Sequence, residues 1–244
     1  MARARHLRAR HLVLIGVLLG VIVASSVALV SARRYSEPSI YLLGSGRGLS
    51  ALVTSETNRI LIANGTDPAA LATAFRTARP DLIRRIDLVI LLPGATERLA
   101  ERAVEMTSPR RVYALPNERF HPAGRIDGLQ IHPMDGPSSI TISDDVRLSI
   151  VPGITRGWEI EVAIGHVTIL LSEHVPARPS SDIDLVVVMG DALDDSLTAL
   201  RLPLVAAEDA ADDNTPRPSE DPFVLIEREE VTRIRVTSSG IVIA

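Results

Sequence analysis

Two short runs decide most of what this chain can fold into: IDLVILL, from Ile86 to Leu92, and DIDLVVVMG, at 182–190. Neither alternates between apolar and polar residues along its apolar stretch. A half-buried strand alternates with period two, so a short run that is apolar throughout reads as a strand covered on both faces. The first run passes through Pro93, Gly94, Ala95 and Thr96 into the amphipathic pattern ATERLAERAVEM. In α/β folds the loop at the carboxyl end of such a strand is where catalytic groups gather. This loop carries no strong metal ligand and no general base.

The neighbouring pattern extends both sheets. SIYLLG (39–44), LSALVT (49–54) and RILIA (59–63) are β-type runs separated by turn residues, and they predict a three-strand meander. Asp67 is placed to cap a helix that Pro68 opens and Pro80 stops. RVYALP (111–116) supplies a further strand. The second half repeats this logic with GLQIH (128–132), SITI (139–142), VRLSIV (146–151), WEIEVAI (158–164) and HVTILLS (166–172) before the second apolar run. A helix beginning near Asp191 to Asp194, the strand PLVAA, and a closing hairpin over FVLIEREEVTRIRVTSSGIVIA complete the pattern. Two halves of mixed sheet, each ending in strand then helix, predict two sheets packed face to face with helices outside. EDAADDNTPRPSEDP (208–222) is acidic and proline-rich and reads as a solvated loop.

The amino end is different in kind. MARARHLRARH (1–11) is basic, and residues 12–30 form an uncharged apolar run of 19 residues. At 1.5 Å per residue that run spans about 28 Å, close to the roughly 30 Å of bilayer hydrocarbon. The heavier basic flank lies on the amino side, so the amino end is expected in the cytoplasm and residues 39–244 outside it, on a single-pass membrane helix with a linker over 31–38. The competing reading is a cleaved signal peptide with Val30, Ser31 and Ala32 at the cleavage site, which releases a secreted form. Six of the 26 basic residues lie in the first 34 positions, where no acid occurs, so the remainder sets 20 basic against 30 acidic residues, a net charge of −10. Affinity for nucleic acid rests mainly on cationic side chains, and this balance argues against it. Cysteine is absent, which excludes disulfides, thiol nucleophiles and zinc-thiolate sites.

In order, GSGRGLSALVTSETNRILIANGTDP, IDLVILLPGATERL, HVTILLSEH, DIDLVVVMGD and VTRIRVTSSGIVI resemble metallo-β-lactamase-fold domains of the kind found at the end of ComEC-type DNA-internalisation competence proteins. The resemblance covers residues 39–244 and implies an αββα sandwich. It also implies where a metal centre would lie. The family's His-x-His-x-Asp-His motif falls on Pro93, Ala95, Glu97 and Arg98, its strand-end aspartate on His174, and its last histidine near Met189 or Gly190. Its Asp-Gly-Gly-like loop becomes Ala63, Asn64 and Gly65. In the family, imidazole and carboxylate ligands hold zinc that activates water. Proline and alanine cannot ligate, and Arg98 is expected to place a positive charge where the metal would sit.

Other constellations are weaker. Glu97, His166, His174 and Asp191 are the candidates for a replacement zinc or manganese site, but no His-x-His or His-x-x-x-His spacing accompanies them. Ser45 in GSGRG sits before a strand, whereas a nucleophile elbow needs a following helix, so a structural glycine turn is the better reading. Glu97, Arg98, Glu101 and Arg102 match a solvated helix face. Arg84-Arg85 and Arg110-Arg111 read as solvated strand ends. The expectation is a membrane-anchored, metal-free, non-catalytic module that binds a protein partner, with a diverged metal-dependent hydrolase or nuclease linked to DNA uptake as the alternative.

Overall fold

The computed structural model describes residues 38–55, 58–78, 86–115, 124–134, 136–144, 146–152, 157–174, 182–189, 204–207, 223–226, 231–237 and 240–243. In chain order these form β1 (Ser39–Gly44), β2 (Leu49–Thr54), β3 (Arg59–Ala63), α1 (Pro68–Thr77), β4 (Leu88–Leu91), α2 (Glu97–Thr107), β5 (Arg111–Ala114), β6 (Arg125–Ile126) and β7 (Leu129–Pro133). There follow β8 (Ser138–Ser143), β9 (Val146–Pro152), β10 (Trp158–Ile164), β11 (Val167–Ser172), β12 (Leu185–Val188), β13 (Leu204–Ala207), β14 (Phe223–Ile226), β15 (Val231–Thr237) and β16 (Gly240–Ile243). The expected span at 12–30, the acidic loop at 208–222 and the helix expected near Asp191 lie outside the described residues. Among those described, no helix is long and apolar enough to cross a membrane.

Two mixed sheets result. The first runs β16-β15-β1-β2-β3-β4-β5-β7-β6 and the second β14-β13-β12-β11-β10-β9-β8. Each contains a three-strand antiparallel meander that then continues into parallel strands: β1-β2-β3 leads to β4 and β5, and β9-β10-β11 leads to β12 and β13.

A local repeat fixes both transitions. The tetrapeptide Ile-Asp-Leu-Val occurs at 86–89 and again at 183–186. Asp87 accepts a hydrogen bond from the Arg59 amide on Oδ2 (3.0 Å) while its own amide donates to the Arg59 carbonyl (2.9 Å). Asp184 makes the same pair with Thr168, at 2.8 and 2.9 Å. In each half a carboxylate satisfies an amide at the start of the adjacent strand, and this sets the register of the parallel pair.

Strand alternation sorts side chains into two cores. Ile40, Leu42, Leu49, Ile60, Ile62, Ile90 and Leu92 of the first sheet meet Leu148, Ile150, Ile160, Val162, Ile169, Leu171, Leu185 and Val187 of the second. Trp158, with 2% of its surface exposed, belongs to this inter-sheet core. The intervening residues Leu43, Leu52, Leu61, Val89 and Leu91 face the other way and pack against Leu71, Ala74 and Phe75 of α1 and Leu99, Ala100, Ala103 and Val104 of α2. The first sheet is therefore covered on both faces, as its unbroken apolar runs require. Truncating such a buried leucine to alanine costs about 2–5 kcal/mol.

Local chemistry sets the helix ends. The Asp67 carboxylate accepts from the amides of Ala69 (2.8 Å) and Ala70 (3.0 Å), and Pro68 occupies the first turn, where its missing N–H costs nothing. Thr96 caps α2 by accepting from the Leu99 amide at 3.3 Å, and Ser108 ends it in the left-handed region at φ 43°.

The closing hairpin differs from expectation. β14 pairs with β13 in the second sheet, while β15 returns to pair with β1 in the first, so only β15 and β16 form a hairpin. The intervening residues 227–230 connect strands of different sheets, and neither strand's pattern marks that switch.

Candidate functional site

The carboxyl ends of β3, β4 and β12 meet at one crest, the place where the family resemblance puts a metal centre. A closed hydrogen-bonded ring fills the β1–β2 turn beneath it. Each serine hydroxyl has one proton. Ser50 Oγ accepts from the Asn64 amide (3.0 Å) and lies within reach of both the Asn64 carbonyl (2.9 Å) and Ser45 Oγ (3.1 Å), and Ser45 Oγ donates to the Asn64 carbonyl (2.6 Å). Ser45 and Ser50 are wholly buried and Asn64 almost so. Buried polar groups are tolerated when they satisfy one another, and here three residues do so within an otherwise apolar seam.

The Asn64 side chain then joins the sheets. Nδ2 donates to the Met189 carbonyl at 2.7 Å, and that carbonyl also accepts from the Leu49 amide at 2.9 Å. Because a carbonyl can only accept, this contact decides which end of the amide faces it. Asn64 Oδ1 has no hydrogen-bond donor among the described residues. It lies against Gly94, where an ideal Cβ would come within 2.3 Å of it. Gly65, at φ +99°, is held as tightly: a Cβ there would lie 2.7 Å from both the Ser45 and Gly46 carbonyl oxygens. Glycine is required at both positions by close approach.

The positions aligned with the family's ligands do not fit a metal. Pro93 is half-buried and offers no side-chain donor. Ala95 is 4% exposed and turns its methyl group into the helix-side core with Leu99. Glu97 and Arg98 are exposed at the start of α2, and His174 is exposed after β11. Gly190 and Asp191 lie outside the described residues. Arg98 thus does not occupy the seam, contrary to the expectation from its position; the Asn64 amide and the Met189 carbonyl do. The acidic-basic face of α2 is solvated, with an Arg102–Glu105 ion pair at 2.7 Å.

Of the replacement candidates, Asp191 lies outside the described residues, and the two histidines are held apart. His166 and His174 sit at opposite ends of β11, whose six residues at roughly 3.3 Å each separate them by about 20 Å. Among the described residues no group of three or more His, Cys, Asp or Glu could hold a metal ion. Asp184 is engaged with the Thr168 amide. His132 is exposed and stacks at a tilt against Tyr113, ring centroids 5.5 Å apart, and His121 lies outside the described residues.

Beside the crest, Glu173 and His174 follow β11. The Glu173 amide donates to the Trp158 carbonyl at 3.3 Å, and Ser172 Oγ donates to the His174 carbonyl at 2.6 Å. Burial pushes the Glu173 carboxyl above its ordinary value, and His174 pulls it partly back. Among the described residues no activated nucleophile accompanies this carboxyl and the exposed imidazole beside it. Ser45 cannot supply one, since it is buried and bonded into the ring without a basic partner.

No protein-family model matches the chain, and no curated protein matches it. Among solved structures it is similar to a metallo-β-lactamase HARLDQ-motif mutant from Cronobacter sakazakii, with TM-score 0.41 and 18% identity over 59% of this chain and 65% of that one. It is similar also to Zn(2+)-bound PqqB from Methylobacterium extorquens, with TM-score 0.45 and 16% identity over 65% of this chain and 72% of that one. A third is Rm3 metallo-β-lactamase, with TM-score 0.46 and 14% identity over 64% and 76%. Two of these three are metallo-β-lactamases by name. The chain spans just under two thirds of the first of them. Ser50 and Asn64, the residues that build the crest, stand in the sequence as an ordinary strand serine and turn asparagine; two hydroxyl residues flanking GRGL are the one signal that could have found the ring.

Proposed function

We propose that this chain is a non-catalytic metallo-β-lactamase-like domain of the ComEC-related kind, tethered outside the cytoplasm by residues 12–30 and serving as a metal-free binding or scaffold module for a protein partner. The observation that carries the reading is the Asn64 bridge. The seam where metal ligands converge in the family is here a structural joint, in which a neutral amide ties the carboxyl end of β3 to the carbonyl following β12. Among the described residues, no ionisable side chain takes part in that bond. The fold alone assigns no activity, so the site decides. The net charge of −10 beyond residue 34 favours a protein partner over nucleic acid.

The test is an assay of the full-length protein, supplemented in turn with zinc, manganese and magnesium, on phosphodiester, carboxylic ester and β-lactam substrates and on single-stranded DNA. No turnover above buffer is expected. Turnover abolished by a chelator returns the protein to the metal-dependent hydrolases. Reporter tags on the two ends test the tether: the carboxyl end is expected outside the cytoplasm in the membrane fraction, and a soluble form beginning near Arg33 establishes signal cleavage instead.

A further inference from the structure

A cleft of about 580 Å³ opens at the other side of the sandwich, between the inner face of β4, β5 and β7 and the edge strand β8. It is separate from the crest: its walls come from the amino ends of β3, β4 and β5, whereas the crest stands at their carboxyl ends. Its size falls within the roughly 300–1,000 Å³ of sites that hold small organic molecules.

The lining divides into two kinds of surface. The floor is apolar, made by Ile60, Leu88 and Ile142 where the inter-sheet core reaches the edge, with half-buried Met134 and Ile140 beside them. Arg110 and Arg111 line the same cleft and are exposed. Arg110 approaches Asp87 Oδ1 only at 3.7 Å, and Asp87 spends its other oxygen on the Arg59 amide. Arg111 has no ion-pair partner among the described residues. The two guanidiniums therefore keep most of their donors available, in a chain whose remainder is acidic. A guanidinium presents a planar fork of N–H groups that matches a carboxylate or phosphate. Across the cleft, β8 turns Ile140 and Ile142 inward, so its wall continues the apolar floor.

We propose that this cleft binds a small organic anion, a carboxylate or phosphate monoester on an apolar body, with its charged end on Arg110 and Arg111 and its body on the floor between the sheets. The pair that reads as solvated strand ends in the sequence becomes a recognition element because β8 closes over it from the second sheet.

Calorimetric titration of the full-length protein with 2-naphthoate, 2-naphthyl phosphate, neutral 2-naphthamide and inorganic phosphate tests this. At least one naphthyl anion is expected to bind saturably at one per chain, with the amide and inorganic phosphate weaker by about tenfold or more, since each lacks one half of the recognition. The tighter of the two anions assigns the head group. The double variant Arg110→Ala, Arg111→Ala is expected to weaken anion binding by at least about tenfold. Arg111→Glu, at an exposed position in the lining, is expected to do the same by reversing the charge while leaving the melting temperature in place, and it carries the test should the double variant fail to fold. Equal affinity for the amide, unchanged anion affinity in the variants that fold, or no saturable binding at millimolar ligand overturns the proposal.

Discussion

Asn64 Nδ2 and the Met189 carbonyl meet at 2.7 Å across the seam of the sandwich, joining residues 125 positions apart in the chain. The bond ties the loop after β3 to the end of β12, so each sheet helps to hold the other's crest. Asn64→Ala leaves Met189 with the Leu49 amide as its remaining donor. A loss of about 1–3 kcal/mol is expected from one buried hydrogen bond. Asn64→Asp should cost more, because it sets a carboxylate with no proton to donate against a carbonyl in a buried site. Urea unfolding midpoints check both values. An Asn64→Ala protein as stable as the parent would mean that the bridge contributes nothing.

Gly94 reports on the same joint from the loop side. A methyl group there meets Asn64 Oδ1 at 2.3 Å, and Asn64 cannot easily move because Met189 holds its other end. Gly94→Ala is expected to destabilise by about 1–3 kcal/mol through overpacking. Gly124→Ala is the control: nothing lies within 4 Å of its ideal Cβ, so the change should stay within about 0.5 kcal/mol. Thermal melts of the two variants side by side separate a specific clash from a general effect of losing glycine.

Glu173 makes stability depend on pH. Burial raises its carboxyl in the folded state above the ordinary 4.5, with His174 opposing. The native state then binds more protons than the unfolded chain between those two values, so this group's contribution is most favourable below 4.5 and falls as pH rises through the folded value. Glu173→Gln removes the titration and should gain stability relative to the parent as pH rises across that window. Denaturant titrations of both proteins at pH 4 and pH 8 measure the difference; a gap that is the same at both values contradicts the assignment.

Much of the fold is legible in the pattern of apolar residues. The bounds of β1, β2 and β3 follow from β-type runs between turn residues, those of β10 from alternation, and the two helices from the cap at Asp67 and the amphipathic pattern after Thr96. The two unbroken runs mark β4 and β12 as central strands because covering both faces leaves no polar side to show. The placement of β14 and β15 in different sheets was not legible. It depends on Ser39 pairing with Arg235, a long-range choice that no local signal carries. The crest was half legible: its lack of ligands at Pro93 and Ala95 is plain in the sequence, but what fills it is a matter of where Ser45, Ser50 and Asn64 come together. Arg98 misled for the same reason, since its position in the motif says nothing about the solvent-facing turn of α2 on which it sits.

The most direct measurement of the central claim is metal content paired with thermal stability. Full-length protein purified from zinc-supplemented medium is expected to carry well below one zinc per chain by elemental analysis, with a melting temperature that a chelator leaves unchanged, since a metal bound to the native state would stabilise it by mass action. Zinc at one or two per chain, with a melting temperature that falls on chelation, would contradict the account and return the crest to a metal centre.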